Sequence, residues 1–271
     1  MKLLNQIFQG AEGRKTLIDV FIPTKSKCFV LFIHGYKGFK DWGCWNLVAN
    51  HFYDRGIAFA KFNFSHNGGT IEEPLDFPDL EAFARNRYTY ELFDSECAIN
   101  WLKESNYLTS QEVILIGHSR GGAISILSSH LPEITKIITW ASISNIENRF
   151  PKGSELENWK SAGVRYVENA RTHQKMPHYI SFYEDWIKNK NRLLIENVLS
   201  NSTKSFLHIH GTMDEAVGFE DSKKLAKWSD GNYIEIEGAN HTFGSSHPWL
   251  ENELPYYLKT VCEHSIQFIQ Q

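Results

Sequence analysis

The sequence predicts an α/β fold: a mainly parallel central sheet flanked by helices and interrupted by one inserted segment. Three observations carry this expectation. Short β-rich runs alternate with helical patterns through the first half of the chain, which is the rhythm of strand–helix–strand units. Two runs, EVILIG (112 to 117) and KIITWAS (136 to 142), are almost continuously apolar, as parallel strands covered on both faces must be. The rhythm stops near residue 145 and resumes at 205. One domain, formed by residues 1–144 and 205–271 and interrupted by an insertion at 145–204, accounts for that change.

Taken in order, residues 16 to 24 and 28 to 35 read as two strands separated by a short polar turn. Residues 43 to 55 carry helical periodicity, with Asp41 as the N-terminal cap and Gly56 as the stop. IAFAKFNF (57 to 64) is a third strand, residues 71 to 79 a Pro- and Asp-rich loop, and 89 to 104 a helix. Within the insertion, VRYVENARTHQKMPHYISF looks like a hairpin leading into a helix near 183 to 200. SFLHIHG (205 to 211) and NYIEIEG (232 to 238) restore the strand pattern, with a helix between them near 218 to 228. A last helix is expected to hold Pro255 in its first turn, where a missing N–H costs nothing.

Composition removes several function classes. Hydrophobic residues make up 42% and charged residues 22% of 271, an ordinary globular balance that argues against disorder. The net charge of −4 argues against a nucleic-acid binder, which would usually be basic. KNKNR (188 to 192) is too short a run to reverse that. MKLLNQIFQG lacks a continuous apolar core and a small-residue cleavage site, and no run approaches a membrane span. Cys28, Cys44, Cys97 and Cys262 are dispersed, as reduced thiols are in a cytoplasmic protein.

The chemistry concentrates at GHSRG (Gly117 to Gly121), a G-x-S-x-G pentapeptide. By composition alone such a match would occur in roughly one chain of this size in ten. Its context is what singles it out: it follows a buried-strand pattern and leads into the helical run AISILSSHL. A nucleophile elbow needs that strand–turn–helix frame, because the strained turn lifts the serine hydroxyl clear of the sheet. Ser119 also needs a base to take its proton and an acid to fix that base's tautomer. The chain order for this arrangement is serine, acid, histidine. HGTMDEAV offers Asp214 just after one strand, and GANHTF offers His241 just after the next. Both are strand C-termini, where ligand sites of open α/β sheets lie. Glu215, one residue on, competes with Asp214. The N–H groups of Tyr36, in HGYKG, and Arg120 are the expected oxyanion-hole donors.

GHSRGG, HGYKG, HGTMDEAV and GANHTF resemble the corresponding blocks of α/β-hydrolases. The likeness is strongest to bacterial carboxylesterases of the cinnamoyl and feruloyl esterase kind, and extends to dienelactone-hydrolase and prolyl-oligopeptidase-type catalytic domains. It spans nearly the whole chain except 145 to 204, where those esterases carry a cap over the active site. The resemblance implies the α/β-hydrolase fold with an inserted cap, catalytic roles for Ser119, Asp214 and His241, and hole-forming amides at Tyr36 and Arg120. The insertion's own composition departs from those esterases, so aromatic-acid specificity does not carry across.

The expected reaction is hydrolysis of a small-molecule carboxylic ester, with no cofactor and no metal. An aminopeptidase, acyl-peptide hydrolase or thioesterase using the same triad, and an idle hydrolase-fold receptor or scaffold, stand as alternatives. His66, Asn67, Trp140 and Trp186 are the candidates for the substrate pocket. His208 and His210 share one strand face, but no third metal ligand of suitable spacing accompanies them. His118 reads as a packing residue beside the elbow.

Overall fold

A computed structural model describes residues 1–108 and 112–271. In chain order its first half comprises β1 (Lys2–Gln9), β2 (Lys15–Phe21), β3 (Cys28–Ile33), α1 (Trp45–Tyr53), β4 (Ala58–Phe62), α2 (Leu80–Arg85), α3 (Tyr88–Glu104), β5 (Glu112–His118), α4 (Arg120–Leu127) and β6 (Ile134–Trp140). There follow α5 (Ser154–Ala162), β7 (Val164–Glu168), β8 (Lys175–Tyr179), α6 (Ser181–Lys188), α7 (Ile195–Ser200), β9 (Ser205–Gly211), α8 (Glu220–Ser229), β10 (Asn232–Ile236) and α9 (Tyr256–Gln270). Eight strands form one sheet in the order β1-β2-β4-β3-β5-β6-β9-β10, and β7 pairs with β8 in a separate hairpin. The β1–β2 and β2–β4 pairs are antiparallel, and every other pair in the large sheet is parallel.

The apolar runs are continuous because the central strands are covered twice. Along β3, Phe29, Leu31 and Ile33 face a core shared with α3, α4, α7 and α8. Val30 and Phe32 face the opposite core, shared with α1 and α9. β5 repeats the alternation, with Val113 and Leu115 on one side and Ile114 and Ile116 on the other. Each such side chain withdrawn from water contributes roughly 1.5–3 kcal/mol. Residues at the C-terminal ends of β5, β6, β9 and β10 therefore sit on a rigid frame. Among the described residues, no helix is long and apolar enough to cross a membrane.

Several elements differ from the sequence reading. β1 was not expected, because a bulge between Leu3 and Gln6 breaks the alternation and leaves Leu4 and Ile7 exposed. Asn5 sits in that bulge at φ 53°, its N–H donating to Asp19 Oδ1 at 2.7 Å. Asp41 does not cap α1, whose N-cap position is Cys44. Its carboxylate instead pairs with Lys40 at 2.5 Å and with Lys61, in a buried quartet completed by Asp19. Two buried cations outcompete a helix end for a nearby carboxylate, because the charges would otherwise be unpaired. Pro255 is the cap before α9 and not part of its first turn.

Between residues 145 and 204, α5 was unforeseen because only Trp159 of its nine residues is buried. The expected helix at 183 to 200 is two, α6 and α7. They break after Lys188, where Asn189 Nδ2 donates back to the Asp185 carbonyl at 2.8 Å. α7 packs against α4 and α8.

Candidate active site

The turn between β5 and α4 holds Ser119 at φ 57° and ψ −121°, a conformation that L-residues rarely adopt. Its N–H donates to the Trp140 carbonyl at 2.8 Å, and its own carbonyl accepts from Gly122 N–H at 3.0 Å. The flanking glycines are required by close backbone approach. A Cβ on Gly117 would collide with the Gly121 carbonyl, and a Cβ on Gly121 with the Ile33 and His34 carbonyls. Together they let α4 start directly against β3 and β5.

His241, in the loop after β10, places Nδ1 2.7 Å from Asp214 Oδ2, to which it donates. Asp214 follows β9, and its side chain is fully buried. Oδ2 also accepts from His210 Nε2 at 3.0 Å, and Oδ1 accepts the N–H groups of Ala216 (2.8 Å) and Val217 (2.9 Å). Burial alone would raise this carboxyl; the hydrogen bonds from His210 and His241 outweigh it and hold the group well below the usual carboxylate range. Glu215 is exposed and stands outside this arrangement. His210 was not foreseen as a partner of the acid. It is fixed in turn by Ser222 Oγ, 2.6 Å from Nδ1. The signal was the four-residue step from His210 to Asp214 across a strand end. His208 has other partners, Thr139 Oγ1 at 2.8 Å and Ser229 Oγ at 3.1 Å. His118 donates from Nε2 to the His241 carbonyl at 2.9 Å, and burial pushes its ring down to about 3, so it remains neutral.

Tyr36 lies in the loop after β3, in the same cavity lining as Ser119, and Arg120 is the first residue of α4. Among the described residues, neither N–H donates a backbone hydrogen bond. For Arg120 that follows from helix geometry, since first-turn N–H groups have no partner within the helix. The Arg120 side chain, by contrast, is buried and points away from solvent, its Nη1 3.2 Å from Glu91 Oε1. The loop bearing Tyr36 is anchored by Lys40, whose N–H donates to Asn63 Oδ1 at 2.6 Å.

Ser119 and His241 line one cavity of about 360 Å³. Its lining also includes Tyr36, Trp42, Trp45 and His118, together with Asn169–Arg171 of the β7–β8 turn. The four pocket candidates do not line it. His66 is buried against Tyr90 and Glu12. Asn67 is spent on the loop backbone, donating to the Gly38 carbonyl at 3.2 Å and accepting from Gly69 N–H at 3.0 Å. Trp140 is fully buried in the sheet core, its Nε1 donating to Ser265 Oγ at 3.0 Å. Trp186 packs against Phe150 and Tyr183. Residue type and position along the chain do not separate these candidates from Trp42 and Trp45; only the convergence of segments distant in sequence around the cavity does.

This architecture is the α/β-hydrolase fold, and solved structures share it across the whole chain. The ferulic-acid-bound structure of Est1E from Butyrivibrio proteoclasticus superposes with a TM-score of 0.73 at 17% identity, covering 98% of each chain. A putative hydrolase from Agrobacterium vitis gives 0.74 at 12% identity, again covering 98% of both. Dienelactone hydrolase from Anabaena variabilis gives 0.66 at 16%, covering 99% of this chain and 97% of that one. No protein-family model and no curated protein matches the sequence.

Proposed function

We propose that the protein is a serine hydrolase of small carboxylic esters, working through an acyl-enzyme on Ser119. One observation carries the reading: a strained serine at a strand–helix turn shares a cavity with a histidine whose other ring nitrogen is 2.7 Å from a buried carboxylate. In this mechanism His241 Nε2 takes the Ser119 proton as Oγ bonds to the ester carbon. The carbonyl oxygen gains negative charge, which the N–H groups of Tyr36 and Arg120 meet. The carbon–oxygen bond to the alcohol then breaks, and His241 returns the proton to that oxygen. Water repeats the sequence through the same base and frees the acid. Asp214 holds the imidazole with its proton on Nδ1, leaving Nε2 as the acceptor.

The cavity lining includes Lys37 and Arg171 and, among the described residues, no carboxylate. That favours a neutral or anionic ester over a peptide with a free amino terminus. We read residues 145–204 as a cap whose hairpin turn bounds the cavity, with α7 belonging to the packing of the main domain. A fluorophosphonate probe should label wild type, and p-nitrophenyl esters of graded chain length should be hydrolysed. Ser119→Ala should lose both labelling and about 10⁴-fold in kcat while staying folded. Full activity in that variant would end the proposal.

A further inference from the structure

The two residues whose N–H groups form the proposed hole are joined by their side chains as well. The Arg120 guanidinium carbon lies 4.2 Å from the centre of the Tyr36 ring, with Tyr88 at 5.0 Å and Phe182 at 5.3 Å. On one side its charge is met by buried Glu91, whose Oε1 also accepts from Asn86 Nδ2 at 2.7 Å. On the other, the Tyr36 hydroxyl donates to His178 Nε2 at 2.6 Å, and the two rings stack at 5.6 Å and 28°. His178 belongs to β8 of the insertion. Burial and the charge of Arg120 push it down to about 3, so it is neutral and can accept that bond.

This cluster is an expensive way to fill a core. Glu91 Oε2, Tyr88 Oη, Asn86 Oδ1 and His178 Nδ1 are all buried without a partner. Each forfeits hydrogen bonds that water would supply, and a buried ion pair replaced by apolar side chains of the same volume commonly loses nothing. Such unfavourable groups concentrate where function needs a fixed geometry. Here they gather where the β3 loop, the start of α4, α3 and the insertion meet.

We propose that Tyr36, Arg120, Glu91 and His178 form a positioning assembly for the oxyanion hole. It rests on the serine-hydrolase reading above. Stacking Arg120 on Tyr36 fixes the spacing of the two main-chain donors. The hydroxyl bond to His178 makes the insertion a support for the transition state as well as a wall of the cavity. Displacement of donors by fractions of an ångström affects the tetrahedral state, whose oxygen they must meet at 2.7–3.1 Å, more than the bound ester.

Tyr36→Phe deletes one hydroxyl and keeps every ring contact. It should lower kcat for p-nitrophenyl acetate about tenfold with KM within about twofold, and weaken phenylboronic acid, which forms a tetrahedral adduct on Ser119, by the same factor. His178→Leu should match that loss, His178→Gln should recover most of it, and the Tyr36→Phe/His178→Leu pair should be no worse than either alone. If His178→Leu does not fold, Tyr36→Phe decides by itself. A folded Tyr36→Phe enzyme with kcat within twofold of wild type, or a loss confined to KM, overturns the proposal. Failure of wild type to react with the fluorophosphonate would instead remove the serine-hydrolase reading, and this assembly with it.

Discussion

Replacing Asp214 by Asn separates charge and tautomer from shape, because the two side chains are nearly the same size. One end of the carboxylate is already committed, since Oδ1 accepts from Ala216 N–H at 2.8 Å and from Val217 N–H at 2.9 Å. An asparagine must therefore keep its oxygen there and present its NH₂ where Oδ2 stood. That NH₂ would face two ring N–H donors, His241 Nδ1 at 2.7 Å and His210 Nε2 at 3.0 Å. Neither contact survives unless the ring moves its proton. For His241 the proton goes to Nε2, the atom that accepts the serine's in the proposed mechanism. The resulting loss is up to ~10⁴-fold in kcat, or about 5.5 kcal/mol of transition-state stabilisation at 1.36 kcal/mol per tenfold. His210 must also turn a bare nitrogen toward the Val217 carbonyl, now 3.0 Å away as a bonded partner. Leaving that buried carbonyl unpaired costs about 1–3 kcal/mol of stability. The assay is kcat on p-nitrophenyl acetate with thermal unfolding followed by circular dichroism. Glu215→Gln, at an exposed position, serves as the control and should change kcat less than about twofold. A folded Asp214→Asn enzyme retaining more than a tenth of wild-type kcat would refute this account, as would Glu215→Gln proving the crippled variant.

Three further outcomes follow from the geometry. Ser119→Gly should raise the melting temperature, because it releases a backbone conformation worth roughly 1–3 kcal/mol of strain, while abolishing labelling; an unchanged or lower melting temperature counts against the strained elbow. Trp42→Ala should alter the order of preference among acyl chain lengths, whereas Trp186→Ala should cost about 3–5 kcal/mol of stability and leave that order intact; the reverse pattern would restore Trp186 as a pocket residue. The Asp214 carboxyl is lowered in the fold, so its ionised form adds stability above its unfolded pKa of about 3.9 and loses it progressively as pH falls below that value. Melting temperature measured from pH 6 down to 2 should therefore fall less steeply in Asp214→Asn than in wild type, and parallel curves would exclude this linkage.

The sequence alone determined the elements whose information is local. The strand patterns of β3 and β5 are legible because burial on both faces forces almost uninterrupted apolar runs. The elbow is legible because a strained turn between strand and helix admits only small neighbours at Gly117 and Gly121. Ser119, Asp214 and His241 could be singled out in order because each follows a strand. The sequence left Asp214 and Glu215 nearly equivalent; a hydrogen bond across 27 residues separates them. It likewise marked Arg120 only as a backbone donor, since no local period announces that its side chain meets Glu91, Tyr36 and a ring from the insertion. The sheet edge at β1 and the polar helix α5 were missed because each hides its signal, one in a bulge and the other in a nearly unburied face. Which aromatics line the cavity was decided by the tertiary structure alone. Trp140 and Trp42 are the same chemistry, and what distinguishes them is that one lies inside a sheet packed from both sides while the other stands where separate loops converge and leave space.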